Sequence, residues 1–135
     1  MRGRKVELEH FLNQHGVDIC LLSETFLKHG QAFRLANYVC YRTDSPTVGG
    51  RTAILVRCGI AHHSVPIPGL THLEATAIQV TMAGKPVKIL AAYLSPSRPL
   101  FGADLSACFG RVMPVLLAGN LNAEHVHWNS RLTPA

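Results

Sequence analysis

The chain has 135 residues, 47% of them hydrophobic and 16% charged, and its formal net charge at pH 7 is +5. This composition excludes a disordered chain, and no uninterrupted apolar run reaches the roughly 18 residues of a membrane span. The basic residues 1–5 lead into Glu7 and Glu9 rather than into an apolar signal core. We therefore expect an intracellular protein, nuclear or cytoplasmic, with no membrane partner. The positive charge favours an anionic partner, and the length predicts one domain over residues 1–135.

The four cysteines, Cys20, Cys40, Cys58 and Cys108, include no C-x-x-C pair. Cys20 lies in an apolar run and is interpreted as a small core residue. We therefore predict a reducing compartment rather than a disulfide framework.

The N-terminal third of the chain predicts a helix followed by a strand. Apolar positions recur at approximately helical spacing over residues 4–15, among them Val6 and Phe11, and Gly16 is a natural helix end. Residues 17–22 form an apolar run that predicts a buried strand. The polar group Ser23-Glu24-Thr25 follows at once, so the strand is expected to end in polar chemistry.

The middle of the chain predicts a series of strands. A turn-rich loop is expected at residues 43–50, and a short turn containing Gly84 predicts a hairpin between two alternating segments. The predicted strands are residues 38–42, 52–56, 73–80 and 87–94.

The last predicted elements are a loop with a short helix at residues 98–111 and an apolar strand at residues 113–118. A continuous apolar segment suits a strand that is covered on both faces. The strand is expected to stop at Gly119, which allows a sharp turn and lets a ligand approach the backbone. Five polar side chains follow it: Asn120, Asn122, Glu124, His125 and His127.

Three segments carry a family resemblance. Residues 119–123, Gly-Asn-Leu-Asn-Ala, resemble the Gly-Asp-Phe-Asn-Ala segment of the endonuclease/exonuclease/phosphatase superfamily, and residues 124–130 resemble its continuation in non-LTR (LINE, jockey-type) retrotransposon endonucleases. Residues 21–27 resemble the Leu-x-Glu-Thr segment of the superfamily. Residues 49–56 are similar to a Gly-Gly-Gly-Thr-Ala-Ile-Leu-Val segment of the retrotransposon branch.

The resemblance implies an α+β fold, a partial four-layer α/β/β/α sandwich (DNase I-like) with mixed, mostly antiparallel sheets, lacking the first strand and the C-terminal part of the family domain. It implies Mg²⁺ as cofactor, with Mn²⁺ as a substitute and Glu24 as a metal ligand. It implies DNA as substrate and a reverse transcriptase domain in the parent polyprotein. Tyr93 is expected to contact the scissile phosphate, and Asn122 to contact the phosphate or hold the water. The predicted nucleic-acid contacts are Arg51, Arg98 and His125.

Two residues depart from the family pattern. Asn120 stands where the family has the Asp that orients or deprotonates the attacking water, and an amide cannot take that proton. General-base catalysis contributes roughly 10² to 10⁴-fold, and the terminal catalytic elements of the family domain are missing from this sequence. We therefore expect a fragment of a Mg²⁺-dependent phosphodiesterase that is catalytically impaired. Arg51 replaces a glycine and would strain a hairpin if that position has a positive φ.

Three alternatives remain at this stage. The chain could be a non-catalytic nucleic-acid-binding remnant that contacts phosphates without cleaving them. It could be a zinc-binding structural domain built on His62-His63 and His125-x-His127. A small-molecule phosphatase of the same superfamily is the third alternative.

Overall fold

The computed structural model describes residues 5–27, 33–45, 49–67, 70–95, 99–100, 102–110 and 113–121. Two helices and seven strands lie within these residues. In chain order they are α1 (Lys5–His15), β1 (Ile19–Leu27), β2 (Tyr38–Ser45), β3 (Gly49–Arg57), β4 (His62–Val65), β5 (Glu74–Met82), β6 (Lys85–Tyr93), α2 (Gly102–Phe109) and β7 (Val115–Asn120).

The described strands form two sheets. The first sheet has three strands in the order β1-β3-β2, and both pairs are antiparallel. The second sheet has four strands in the order β4-β5-β6-β7. Its pairs are antiparallel except β6 and β7, which are parallel and are connected through α2.

Three apolar cores separate four layers. Ile54, Ile78 and Ile89 belong to the core between the two sheets. Leu12 of α1 is buried in a second cluster with outer-face residues of the first sheet. Cys108 of α2 is buried in a third cluster on the outer face of the second sheet. The order helix, sheet, sheet, helix confirms the predicted α/β/β/α sandwich with mostly antiparallel sheets.

Helix α1 ends as its sequence predicts, but its apolar stripe is only partly buried. Gly16 has φ +63°, and the Val17 amide donates to the Leu12 carbonyl over 3.0 Å, which is the backbone pattern of a glycine helix cap. Leu12 is buried, whereas Val6 is 76% and Phe11 is 53% exposed. The predicted helix is therefore confirmed, but Val6 and Phe11 of its apolar stripe do not belong to the core.

Buried threonine hydroxyls join the two sheets near one end. Thr52 of β3 and Thr76 of β5 are hydrogen bonded through their Oγ1 atoms at 2.8 Å, and the Thr76 hydroxyl also donates to Thr43 Oγ1 of β2 over 2.8 Å. Because Thr52 pairs with Ser23 of β1 and Thr76 pairs with Ala91 of β6, these bonds set the two sheets in register. The end of β1 and the end of β6 thus lie at the same end of the sandwich.

A buried carboxylate connects α2 to the segment that precedes β5. Asp104 is 1% exposed, and it accepts hydrogen bonds from the backbone amides of Thr71, His72 and Leu73 at 2.8, 2.9 and 3.0 Å. Burial acts to raise the pKa of Asp104, but the three backbone donors outweigh burial and hold the pKa below its ordinary value. Asp104 therefore remains charged and fixes the start of β5.

The hairpin and the short helix follow the sequence predictions. Residues Ala83 and Gly84 connect β5 to β6 with φ values of 51° and 79°, as a tight hairpin with two positive φ values requires. Helix α2 lies inside the predicted interval 98–111. The four cysteines are free thiols, as expected, and burial raises the pKa of Cys20 and of Cys108.

Several predicted boundaries were wrong. Strand β1 runs from Ile19 to Leu27, past the polar group Ser23-Glu24-Thr25 in which it was predicted to end. Strands β2 and β3 extend into the predicted loop 43–50, because their polar residues still pair across the ladder. Residues His62–Val65 form β4, a strand that was not predicted from the sequence.

Strand β7 was predicted to be covered on both faces, but the structure covers it on only one. Leu116 is 53% exposed, and exposed and half-buried residues alternate along most of the strand. The reason is its place in the described sheet, where β7 is the last strand beside β6. Helix α2 covers one face, so the apolar run overstated its burial.

Candidate active site

Tyr93 and Asn120 lie side by side at the ends of neighbouring strands. Tyr93 is the last residue of β6 and Asn120 the last of β7, and they are partners in the parallel ladder. The Leu94 amide donates to the Asn120 carbonyl over 2.9 Å, so the pairing continues to the point where the strands end. Tyr93 is 4% exposed and Asn120 is half-buried. These are two of the predicted site residues, and the fold brings them together.

Both residues lie on the face of the second sheet that meets the first sheet. On β6, Ala91 belongs to the core between the sheets and Ala92 to the cluster beneath α2. Because side chains alternate along a strand, Tyr93 shares the inner face with Ala91. On β7, Leu117 packs on the α2 side, which puts Asn120 on the inner face as well.

The absence of a side chain at Gly119 allows β7 to lie close to β6 at this point. Its φ is +154°, and a Cβ there would lie 1.8 Å from the carbonyl oxygen of Ala92, its partner in the ladder. The sequence analysis predicted that a ligand approaches the backbone at this glycine; in the structure, the neighbouring strand β6 comes close to it. Gly119 is therefore required to place Asn120 next to Tyr93.

Strand β1, which carries Glu24, packs against both β6 and β7. Glu24 follows Ser23, whose partner Thr52 is bonded to the second sheet. The ladder between β1 and β3 is irregular here: Ser23 pairs with Thr52 and Leu27 pairs with Gly50. The backbone of Glu24 thus lies in a bulged stretch at the same end of the sandwich as Tyr93. The structure does not describe its side chain.

Arg51 lies in β3 within this irregular stretch. On the β2 side, Thr43 pairs with Thr52 and Asp44 with Gly50, so Arg51 is an extra residue in the ladder. Position 51 is therefore a bulge residue within a strand of the β2–β3 hairpin. Its side chain lies outside the description, as do the predicted site residues Arg98, Asn122 and His125.

Sequence reasoning missed Glu74, the first residue of β5. Glu74 is half-buried and is the ladder partner of Tyr93 on the side opposite Asn120. The three residues Glu74, Tyr93 and Asn120 thus form a row across the strand ends. The signal was present in the sequence, since a carboxylate opens a strand that pairs with the strand of Tyr93, but it emerges only when the hairpin register is known.

The described residues contain no group of three His, Cys, Asp or Glu side chains that could hold a metal ion. Such a group is not required for Mg²⁺, which commonly takes one or two carboxylates together with waters and substrate phosphates. The oxygen donors that the structure describes at this end, the amide of Asn120 and the carboxylate of Glu74, are ligand types that Mg²⁺ accepts. They fit a sparsely liganded Mg²⁺ better than a structural zinc site.

The described histidines give the zinc alternative little support. The Nδ1 atom of His62 is hydrogen bonded to the Ile60 carbonyl at 2.7 Å, and its Nε2 atom is hydrogen bonded to the Tyr41 hydroxyl at 2.9 Å. A metal would have to displace one of these bonds. His125 and His127, the other predicted ligands, lie outside the described residues.

The layers and the strand-end row define a DNase I-like sandwich with polar side chains at neighbouring strand ends of its second sheet. The chain belongs to the endonuclease/exonuclease/phosphatase family, whose profile matches residues 1–135.

Curated relatives come from mobile elements of Drosophila. The RNA-directed DNA polymerase from mobile element jockey of Drosophila funebris is 31% identical over 93% of this chain. The probable RNA-directed DNA polymerase from transposon X-element of Drosophila melanogaster is 30% identical over 92% of this chain. The chain spans 14% of the length of each relative.

Solved structures share the fold. The endonuclease domain of TRAS1, a telomere-specific non-LTR retrotransposon, superposes with a TM-score of 0.67 at 15% identity, covering 93% of this chain and 57% of the TRAS1 chain. A humanized D. rerio TDP2 with 14 mutations gives a TM-score of 0.60 at 17% identity, covering 93% of this chain and 61% of the other. Both likenesses establish the DNase I-like architecture.

Within the described residues, neither helix has the length and apolar character needed to cross a membrane.

Proposed function

We propose that residues 1–135 are a single partial domain of a Mg²⁺-dependent DNA endonuclease of the non-LTR retrotransposon type, and that Asn120 impairs its catalysis. The observation that carries this proposal is the pairing of Tyr93 with Asn120 at the ends of β6 and β7. They lie on the sheet face against which β1 packs. The similarity to the jockey polymerase and to the TRAS1 endonuclease domain supports the same assignment.

Each proposed site residue has a chemical task that its side chain can perform. The hydroxyl of Tyr93 donates a hydrogen bond to a phosphate oxygen, and Asn122 does the same or holds the water. Asn120 orients the water through its amide but cannot take the proton. Glu24 is the proposed ligand of Mg²⁺ (Mn²⁺ as a substitute), and the bound ion supplies charge neutralisation at the phosphate.

The loss of a carboxylate at position 120 sets the size of the defect. Asn has nearly the shape of Asp but is uncharged, and a general base contributes roughly 10² to 10⁴-fold to rate. The pairing of Asn120 with Tyr93 is a backbone feature. Restoring Asp at this position should therefore restore charge without moving the strand.

The proposed substrate is DNA inside the cell, and the proposed partner is a reverse transcriptase domain in the parent polyprotein. Arg51, Arg98 and His125 are the proposed contacts to the DNA backbone. The net charge of +5 favours an anionic partner. The names of the relatives, each an RNA-directed DNA polymerase, support the polymerase partner.

The test is nicking of supercoiled plasmid in Mg²⁺ by the chain, by Asn120→Asp, and by Asn120→Asp combined with Glu24→Ala. We expect Asn120→Asp to nick about 10²-fold faster than the chain itself and the Glu24→Ala change to abolish that gain. Glu7→Ala, which removes an exposed carboxylate on α1, is the matched control and should leave the gain intact. Equal inactivity of all the folded proteins would reject the claim that one lost carboxylate silences the site.

A non-catalytic nucleic-acid-binding role is the second candidate, favoured by the positive net charge and by the missing base. It predicts binding whose affinity falls steeply with salt, without cleavage. Arg51→Ala should reduce the slope of log affinity against log salt by about one. Arg34→Ala is the control, since Arg34 lies in the segment leading into the opposite end of β2. Cleavage by Asn120→Asp would instead show that the binding surface serves a catalytic site.

A further inference from the structure

An open cavity of about 730 Å³ lies beside the strand-end row. Its volume is in the range of small-molecule and cofactor sites. It is formed by β2, by the end of β4 with the segment that follows, and by the start of β5. The residues that carry the argument are Arg42, Thr43, Ser64, Ile67, Leu73 and Glu74.

Glu74 connects the cavity to the candidate active site. Glu74 lines the cavity and is the ladder partner of Tyr93, which in turn pairs with Asn120. Partners in a ladder have Cα atoms about 5 Å apart, and Asn120 is about 10 Å from Glu74 across two strand spacings. A nucleoside attached to a phosphate at Tyr93 therefore reaches the cavity without stretching.

The described lining suits an uncharged, flat, mostly apolar group. Ile67 and Leu73 provide an aliphatic wall, and both pack on the core beneath α2. Arg42 contributes one positive charge and Glu74 one negative charge, so these two formal charges cancel. A phosphate would meet the carboxylate of Glu74, whereas a nucleobase can lie against the aliphatic wall and use polar groups at its edge.

In the cavity, Thr43 can accept a hydrogen bond from a ligand but cannot donate one. Its hydroxyl donates to the Ala75 carbonyl over 3.1 Å and accepts from the Thr76 hydroxyl over 2.8 Å. Because a hydroxyl has one proton, Thr43 can offer a ligand only its remaining acceptor lone pair. The group that it recognises must be a hydrogen-bond donor, and the exocyclic amino group of adenine, cytosine or guanine is such a donor.

We propose that this cavity is a nucleobase subsite, which receives an amino-bearing base of the nucleotide whose phosphate lies at Tyr93 and Asn120. The inference rests on the proposed function, since it needs a phosphate at that position. It adds a source of sequence preference to a site whose other proposed contacts are to phosphates.

The probe is the dinucleotide d(ApA), which has a single phosphate and so fixes the register of binding. Binding to the ¹⁵N-labelled chain is followed by backbone amide shifts. We expect d(ApA) to shift the amides of Thr43 and Ser64 in the cavity together with those of Leu94 and Asn120. A dinucleotide of abasic sugars with the same phosphate should shift only Leu94 and Asn120, and should bind about tenfold more weakly.

Two changes test the chemistry of the cavity. Replacing adenine by unsubstituted purine removes the amino donor and should weaken binding about fivefold. Ser64→Trp fills the cavity from an exposed position on β4 and should reduce the affinity for d(ApA) to that of the abasic dinucleotide. His63→Trp is the matched control, because His63 is its exposed neighbour on β4 and does not line the cavity.

The outcomes separate the two claims. Shifts at Leu94 and Asn120 with no shift in the cavity, and equal affinity for d(ApA) and the abasic dinucleotide, overturn the base subsite and leave the phosphate site standing. Shifts in the cavity without any at Leu94 and Asn120 show a base site that is unconnected to the phosphate, which also overturns the inference. The absence of shifts in both places contradicts the proposed function itself.

Discussion

Asp104→Asn should destabilise the protein by about 3 kcal/mol although it changes only one atom. The carboxylate accepts three backbone hydrogen bonds at 2.8 to 3.0 Å and is 1% exposed. The amide that replaces it has one oxygen and one NH₂ group, so at least one backbone N–H faces another donor. Hydrogen bonds to charged groups contribute roughly 1.5–3 kcal/mol, and a buried donor left unpaired costs about 1–3 kcal/mol.

The assay is urea unfolding at pH 7 followed by circular dichroism, supported by thermal unfolding. For a chain of this length, the expected loss corresponds to a fall in Tm of about 10 °C. Asp18→Asn is the matched control, since Asp18 is 67% exposed and forms an ion pair with Arg57 at 3.0 Å. The control should change stability by less than about 1 kcal/mol, as exposed ion pairs do.

The same carboxylate predicts a pH dependence. The pKa of Asp104 is held below its ordinary value of 3.8 in the native state, so the unfolded state takes up this proton first as the pH falls. The stabilisation is therefore complete above the unfolded pKa of about 3.9 and is lost as the pH falls through the lower native pKa. The stability difference between wild type and Asp104→Asn should shrink in acid. An Asp104→Asn protein within about 0.5 kcal/mol of wild type at pH 7 would refute the reasoning.

Three further substitutions test single contacts within and between the layers. Gly119→Ala should lower the free energy of unfolding by more than about 3 kcal/mol, because its Cβ would lie 1.8 Å from the Ala92 carbonyl oxygen. The control Gly84→Ala, which has open space around it, should lower it by about 1 kcal/mol. Urea titration compares the two variants. Tyr38→Phe removes a hydroxyl that donates to carbonyls at the end of α1 and should cost about 1–2 kcal/mol by the same measurement. Thr76→Val interrupts the bonds between the sheets and should cost about 1–3 kcal/mol; unchanged stability would mean that these hydroxyls do not hold the sheets in register.

The sequence predicted the architecture well because most of its signals are local. The glycine at position 16 marks the end of α1, and the hairpin around Gly84 is encoded by residues adjacent in the chain. The motif resemblance supplied the pairing of the two sheets, which periodicity alone cannot supply. The exposure of Leu116 was missed because it depends on the position of β7 in its sheet.

The candidate site was predicted in part. Tyr93 and Asn120 were both named from motifs, and the ladder places them together. Glu74 was not named, because its importance comes from its register with Tyr93 rather than from its neighbours in sequence. The role of Asp104 was missed for the same reason, since its three partners lie more than 30 residues away.

The central claim is that Tyr93 and Asn120 act on one phosphate. The most direct measurement is the Mg²⁺-dependent nicking rate of Asn120→Asp compared with that of Asn120→Asp combined with Tyr93→Phe, with both proteins shown to be folded. We predict that removal of the Tyr93 hydroxyl lowers the rate about 10²-fold, as the loss of a hydrogen-bond donor to the reacting phosphate does. Equal rates in the two proteins would contradict the account, because Tyr93 would then be a core residue beside the site rather than part of it.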